Sequence, residues 1–242
     1  MPNAVVIIPT YNEIENIEKM VNKVMSLRPA FHILIVDDGS PDGTAQKVKD
    51  LQKQYPEALF LLERKGKSGL GTAYIAGFRW AIQHQYDYIF EMDCDFSHNP
   101  DDLCHLLAKC EAGADVAVGS RYVKGGQIKN WPQDRLLLSY FASLYVRFFT
   151  WIGVNDTTAG FVGYKRKVLE TIDLNKIKFV GYAFQIEMKF AAAQLGFKIV
   201  EHPITFIDRE LGQSKMSSGI IKEAIIGVLQ MKWNSFFSSY KN

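Results

Sequence analysis

Cysteine is scarce in this chain. Cys94, Cys104 and Cys110 are the three thiols among 242 residues. Their odd count and lack of metal-ligand spacing exclude a disulfide framework and fit a reducing compartment. A charge excess is also missing. Lys and Arg number 28 against 26 Asp and Glu, a formal net charge of +2, too little for a broad nucleic-acid-binding face, so no nucleic-acid partner is expected. No stretch reads as a membrane span: Leu136 to Val154 is the most apolar, but Arg147 interrupts it and Ser139 and Ser143 dilute it. A partly buried or interfacial helix is expected there. Met1 leads straight into an apolar strand with no basic region, so no signal peptide is expected. Internal repeats, low-complexity tracts and clear linkers are lacking too.

What is present is a soluble composition, 48% apolar, in a chain long enough to bury one large core. Apolar runs at Ala4–Ile8, Phe31–Val36 and Leu59–Leu62 read as buried strands. Helical spacing separates them: Asn16 to Ser26 through Ile17, Met20, Val21 and Val24, then a helix from about Thr44. Strands alternating with helices predict βαβ units and a mostly parallel sheet, an α/β fold. Ligands of such sheets sit beyond the carboxyl ends of the strands.

Those ends carry the chemistry. The first strand stops at Pro9 and gives Thr10-Tyr11-Asn12-Glu13. The second runs into Asp37-Asp38-Gly39-Ser40-Pro41-Asp42-Gly43-Thr44. A later run, Tyr88 to Met92, ends in Asp93-Cys94-Asp95. Alternation along a strand puts residues i and i+2 on one face, so Asp93 and Asp95 could offer oxygens together to a hard divalent ion such as Mg²⁺. A polar strand end with one Asp capping the next helix would account for the pair as well. Arg64-Lys65-Gly66-Lys67-Ser68-Gly69-Leu70-Gly71 is basic and glycine-rich before a helix from about Thr72 to His84. It suits an anion at a helix N-terminus or a plain connector, and it matches neither a Walker loop nor the dinucleotide fingerprint.

Further on, a helix over Asp101–Ala112 and a strand over Asp115–Gly119 are expected, followed by Gly119-Ser120-Arg121-Tyr122. Phe161–Tyr164 reads as a strand, Ala183–Leu195 as a helix, and Lys198–Ile207 as a late strand ending in Asp208-Arg209. Ile221, Ile225, Val228 and Leu229 share one face of a C-terminal amphipathic helix that leads to Trp233, Phe236, Phe237 and Tyr240. Glu13, Asp38, Asp93 and Asp95 facing Arg121, Arg209 and Lys215 would make one cleft, acidic toward a metal and basic toward phosphate. That combination suits a nucleotide-activated substrate.

The segments Pro9–Glu13, Asp37–Thr44, Gly69–Gly71, Met92–Asp95, Gly119–Tyr122 and Asp208–Lys215 occur in this order. Together they closely resemble the dolichol-phosphate (polyprenyl-phosphate) mannosyltransferases of glycosyltransferase family 2. The resemblance implies a GT-A fold and inverting transfer of mannose from GDP-mannose to a polyprenyl phosphate. It further implies that Pro9, Tyr11, Glu13, Val36 and Asp38 hold the nucleotide, that Asp93 and Asp95 hold Mg²⁺ or Mn²⁺, and that the Cys94 backbone lies near the nucleotide. Arg121, Arg209 and Lys215 would hold donor and acceptor phosphates, with Arg135 a weaker candidate, and catalysis would rest on Asp95, Arg121, Arg209 and Lys215. Cys94 departs from the family's usual Ala, which keeps a small residue but raises thiol sensitivity.

Family members that glycosylate sugar hydroxyls use a carboxylate base from a Glu-Asp pair. Tyr182-Ala183-Phe184-Gln185-Ile186-Glu187 has no such pair. A phosphate monoester, with a second pKa of about 6, is already ionised and needs cations rather than a base, although Glu187 remains a candidate base. The expected organisation is one GT-A domain: residues 1–122 for the nucleotide sugar, 123–217 for the acceptor, and 218–242 as the amphipathic helix. A cytoplasmic chain is expected, peripheral at the cytoplasmic face of a membrane, with a small membrane partner subunit as in some relatives. Open alternatives are another donor (UDP-glucose or UDP-GlcNAc), a non-lipid acceptor, or a nucleotide-sugar-binding subunit without turnover.

Overall fold

The computed structural model describes residues 3–181, 183–208 and 218–242, excepting the side chains of 218–225. The elements run β1 (Ala4–Thr10), α1 (Ile17–Met25), β2 (His32–Asp37), α2 (Thr44–Gln52), β3 (Leu59–Glu63), α3 (Leu70–Gln83), β4 (Tyr88–Glu91), α4 (Asp102–Glu111) and β5 (Val116–Ser120). Then come β6 (Gln127–Lys129), α5 (Gln133–Thr150), β7 (Val162–Lys165), α6 (Arg166–Thr171), α7 (Ala183–Gln194), β8 (Ile199–Pro203), β9 (Thr205–Ile207) and α8 (Ser218–Asn234).

Seven strands form one sheet in the order β3-β2-β1-β4-β7-β5-β8, parallel except for β7. The inner strands β1, β2, β4 and β5 are buried on both faces, and for that reason they read as continuous apolar runs, whereas the edge strands β3 and β8 are only partly buried. Alternation sorts them: Val6, Ile8, Ile33 and Ile35 pack with α1, α2 and α4, while Val5, Ile7, Leu34 and Val36 pack with α3 and α7. A third cluster joins α5, α7 and α8 through Val146, Phe190, Val228 and Met231. The connections from β1 carry the chain to β2 and β3 on one side, and α3 returns it to β4 on the other. The strand order therefore reverses between β1 and β4, the position at which doubly wound sheets open a crevice at their carboxyl edge.

Five features differ from the pattern expected of the sequence. β1 continues through Pro9 to Thr10; its ladder with β4 ends at Ile7↔Glu91, so Pro9, which lacks an N–H, lies where only β2 flanks the strand. β4 stops at Glu91, leaving Asp93 and Asp95 in the loop beyond it, although the Met92 N–H still donates to Ile7 O at 3.2 Å. The single late strand over Lys198–Ile207 is two strands: β8 ends at Pro203, and β9 pairs with β6 in a separate two-stranded sheet. β7 inserts antiparallel between β4 and β5, which places the loop before it at the same edge as the ends of the parallel strands. In α8, Val228 and Met231 face the protein, whereas Leu229 is exposed.

β7 can pass between its neighbours because Gly163 faces Phe90: a Cβ there would run into the ring. Gly163→Ala should lower stability by about 1–3 kcal/mol through overpacking. Urea denaturation would measure this, and Phe90→Leu in the same chain should recover part of the loss.

Candidate active site

At the end of β2 the acidic residues divide their work. The Asp37 carboxylate accepts Thr10 Oγ1 at 2.8 Å, Ser40 N at 2.9 Å and Ser40 Oγ at 2.6 Å. Asp42 accepts the N–H groups of Ile14 and Thr44, so both acids shape the turn. Asp38 is left to face the crevice. Its Oδ1 is buried without a hydrogen bond and lies 3.2 Å from Arg64 Nη1, an ion pair. Burial raises the Asp38 pKa, and the Arg64 charge pulls it back. Of the neighbouring candidates, Val36 is fully buried in β2 and the Tyr11 ring lies 5.1 Å beneath Lys67 Nζ. The Glu13 Oε2 accepts Asn16 Nδ2 at 3.0 Å.

The glycine-rich segment does two things. Arg64 and Lys67 fold it over Asp38 and Tyr11. Gly69, at φ +98°, and Gly71 approach the protein's own chain: a Cβ on Gly71 would lie 2.7 Å from the Phe184 ring and 2.8 Å from Phe179 O. Those glycines serve packing against α7.

Beyond β4, Asp93 lies 3.4 Å from the Tyr74 hydroxyl and Asp95 Oδ1 accepts the Ser97 N–H at 3.1 Å. Both carboxylates are half-buried, while Cys94 between them is buried among the core residues. Burial pushes the Cys94 thiol up, so it stays protonated and unreactive, contrary to the thiol sensitivity expected of it. Two half-buried carboxylates flanking a side chain buried in the core offer the hard oxygen donors that suit a Mg²⁺- or Mn²⁺-class ion sharing its shell with phosphate.

Arg121, at the end of β5, forms a bidentate pair with Asp156 in the loop before β7: Nε and Nη2 donate to the two carboxylate oxygens at 2.7 Å each. Nη2 also donates to Thr158 Oγ1, and the Arg121 N–H donates to Asp156. Tyr122, Trp131 and Phe206 surround the guanidinium. Arg135 reaches both oxygens of Asp208 through Nη1 and stacks over Trp131. Arg209 and Lys215 lie outside the described residues.

Sequence reasoning missed a polar seam beneath the carboxylates. Glu91 is fully buried with neither oxygen in a hydrogen bond, and both polar atoms of the buried Gln185 amide are likewise unbonded. Lys189 Nζ donates to Ala159 O and Gln185 O. Burial pushes Glu91 up and Lys189 down. His98, buried between Phe161 and Phe206, completes the seam. The one sequence signal for it was charged and amide residues inside otherwise apolar elements.

Glu187 is not poised as a base. Its carboxylate accepts Lys178 N at 2.8 Å, Phe179 N at 3.0 Å and Tyr240 Oη at 3.1 Å.

Carboxylates beyond the ends of β2 and β4, on either side of the strand-order reversal between β1 and β4, stand where a glycosyltransferase of the GT-A fold holds its nucleotide sugar. The family model described as glycosyl transferase family 2 matches residues 5–173, and the chain belongs to that family. Polyprenol monophosphomannose synthase of Mycolicibacterium smegmatis is 49% identical over 225 residues, 93% of this chain and 85% of that protein. Undecaprenyl-phosphate mannosyltransferase of Micrococcus luteus is 46% identical over 222 residues, 92% and 90% of the two chains. Among solved structures, a mannosyltransferase from Pyrobaculum calidifontis in complex with GDP-Man and Mn²⁺ shares the fold, with a TM-score of 0.60 at 17% identity, covering 100% of this chain and 66% of that one.

Burial depresses the His98 pKa to about 4 from 6.5. Between those values the unfolded chain binds a proton that the folded chain does not. Stability is therefore complete above about pH 6.5 and falls as pH drops toward 4, by up to about 3 kcal/mol from this group. His98→Leu should flatten the stability profile in that window when urea midpoints are compared from pH 7 to pH 4.

Proposed function

We propose that this chain transfers mannose from GDP-mannose to a polyprenyl phosphate, inverting the anomeric carbon. The observation that carries the reading is a family-2 site with a carboxylate pair and with Glu187 held by backbone N–H groups, in a chain 49% identical to a polyprenol monophosphomannose synthase.

Pro9, Tyr11, Glu13, Val36 and Asp38 hold the nucleotide. A guanine presents adjacent N–H donors, and the Asp38 carboxylate, paired with Arg64 through Oδ1, is an acceptor suited to them. Asp93 and Asp95 hold Mg²⁺ or Mn²⁺, which when bound offsets the charge growing on the leaving diphosphate. The buried Cys94 side chain leaves its backbone beside the nucleotide. An acceptor phosphate oxygen forms the new bond to the anomeric carbon while the bond to the diphosphate breaks and GDP leaves with the electron pair. A phosphate dianion brings no proton to remove, so the chain needs cations rather than a base. Arg121, Arg209 and Lys215 are assigned to the phosphates by sequence position; the Arg121 guanidinium is held by Asp156 and Thr158 inside its aromatic enclosure, and Arg135 is paired with Asp208. The division into a nucleotide-sugar part (1–122), an acceptor part (123–217) and a C-terminal helical part (218–242) belongs to the same proposal.

A lipid acceptor needs a surface against the bilayer. Among the described residues no helix is long and apolar enough to cross one. On α5 and just beyond it, Phe141, Phe148 and Trp151 are 59%, 73% and 78% exposed; on and after α8, Trp233, Phe236 and Phe237 are 66%, 65% and 75% exposed. The two helices pack together, and their uncovered aromatics form the membrane-facing side.

The test is transfer of labelled mannose from GDP-mannose to a short polyprenyl phosphate, with metal and with chelator. Lipid-extractable, chelator-sensitive product is expected, reduced at least a hundredfold by Asp95→Ala and by Arg209→Ala. Turnover from UDP-glucose or UDP-GlcNAc alone would overturn the donor, and turnover onto a soluble hydroxyl acceptor would overturn the lipid phosphate. For the surface, Phe148→Glu with Trp151→Glu should weaken sedimentation with anionic vesicles at least about tenfold, the equivalent of about 1.4 kcal/mol. Unchanged sedimentation would remove the membrane-facing assignment and leave the chemistry standing.

A further inference from the structure

A second group of metal-ligating side chains stands apart from the Asp93/Asp95 loop. Asp102 and His105 are three residues apart on α4 and so share a face. His202 lies in β8 opposite Gly119 of β5, on the sheet face that α4 covers. One donor atom from each of the three lies within 4.8 Å of the others. Among the described residues this is the one place where three His, Cys, Asp or Glu donors gather so closely.

The three groups gather without bonding to one another. His202 Nε2 is 4.0 Å from Asp102 Oδ1, longer than a hydrogen bond. The two imidazoles stack, with centroids 4.8 Å apart and planes 28° from parallel. Asp102 and His202 are half-buried, whereas His105 is exposed, so one side of the cluster is open to solvent and one ligand is free to change rotamer.

We propose that Asp102, His105 and His202 form a binding site for a divalent transition metal of the zinc class. Two imidazoles and a carboxylate are the donor set that Zn²⁺ takes in three-ligand sites, with water in the fourth place. Tetrahedral ligation at about 2.0–2.1 Å brings donors to roughly 3.3 Å from one another, so the cluster must contract by up to about 1.5 Å, within reach of a rotamer change of the exposed His105 side chain. The oxygen-only pair at Asp93 and Asp95 suits harder ions, and the two sites would sort metals by ligand softness. The bound ion clamps the edge strand β8 to α4. β8 leads through Ile204 into β9 and to Asp208, the partner of Arg135, so the clamp would stiffen the acceptor side of the crevice.

The experiment is titration of the metal-stripped full chain with Zn²⁺ by calorimetry, and with Co²⁺ by visible absorption, alongside thermal melting. The wild-type chain and Asp93→Asn/Asp95→Asn should each bind one equivalent of Zn²⁺, melt at higher temperature with it, and give the intense Co²⁺ bands of a four-coordinate site. His105→Ala, at an exposed position, should lose at least tenfold in affinity together with the thermal shift and the bands. His202→Ala should do the same, and if it fails to fold His105→Ala decides alone. Zn²⁺ affinity unchanged in His105→Ala, or abolished in Asp93→Asn/Asp95→Asn, would overturn the proposal.

Discussion

The structure hangs on the ion pair between Arg121 and Asp156. Arg121 ends a parallel strand, and Asp156 precedes the strand inserted antiparallel beside it, so one contact fixes where two oppositely directed strands meet the crevice. Removing two charges from water is expensive, and such a pair is tolerable only when its remaining hydrogen-bonding capacity is met. Here it is met from several directions. Thr158 and the Arg121 N–H join the pair, and Glu201 of β8 accepts the N–H groups of Asn155 and Asp156. Glu201 thereby draws the edge strand into the same knot. Tyr122, Trp131 and Phe206 close around the guanidinium, and Trp131 also supports Arg135. Arg121 is thus held by a buried acid and an aromatic enclosure, and Arg135 by the partly exposed Asp208.

The seam below this knot explains how acidic and basic groups coexist in one small volume. Glu91, Gln185, Lys189 and His98 are buried where a purely apolar core would pack more simply. Lys189 meets its donors' needs with two backbone carbonyls. The unbonded atoms of Glu91, Gln185 and His98 leave acceptor and donor capacity just under the Asp93/Asp95 loop. Polar groups left unpaired in a core weaken it, and they sit here where the sheet approaches its functional edge rather than beneath α1 and α2.

Legibility in the sequence followed locality. An apolar run that stops at Asp37-Asp38 or before Asp93 announces a strand end bearing acids, and helical spacing around Ile17–Val24 announces α1. The crevice followed from those local signals and from the rule that ligands sit at carboxyl ends. What escaped was non-local. Nothing near Val162–Lys165 says that β7 runs against its neighbours, because its partners Phe90 and Ala117 lie far away in the chain. Asp156 carries no local signal, its role depending on Arg121 thirty-five residues earlier. Gly71 looked suited to a phosphate, yet its missing side chain makes room for Phe184. His105 and His202 carry no spacing signal, since sheet pairing and helix packing alone bring them together.

Glu187 shows how chemistry and architecture constrain each other. A carboxylate on the helix beside an acceptor site is where a hydroxyl-activating base would be sought. In this chain it is spent on structure: two backbone N–H groups at Lys178 and Phe179 and the Tyr240 hydroxyl converge on it, and burial raises its pKa. Those bonds fix the 178–179 turn against α7. Phe179 in turn packs on Gly227 of α8, where a Cβ would come within 2.5 Å of its ring, and its carbonyl abuts Gly71 at the start of α3. Freeing Glu187 to accept a substrate proton would therefore loosen the contacts that join α3, α7 and α8. A family-2 fold built in this way keeps its integrity most simply with an acceptor that arrives already ionised, and a phosphate monoester is such an acceptor.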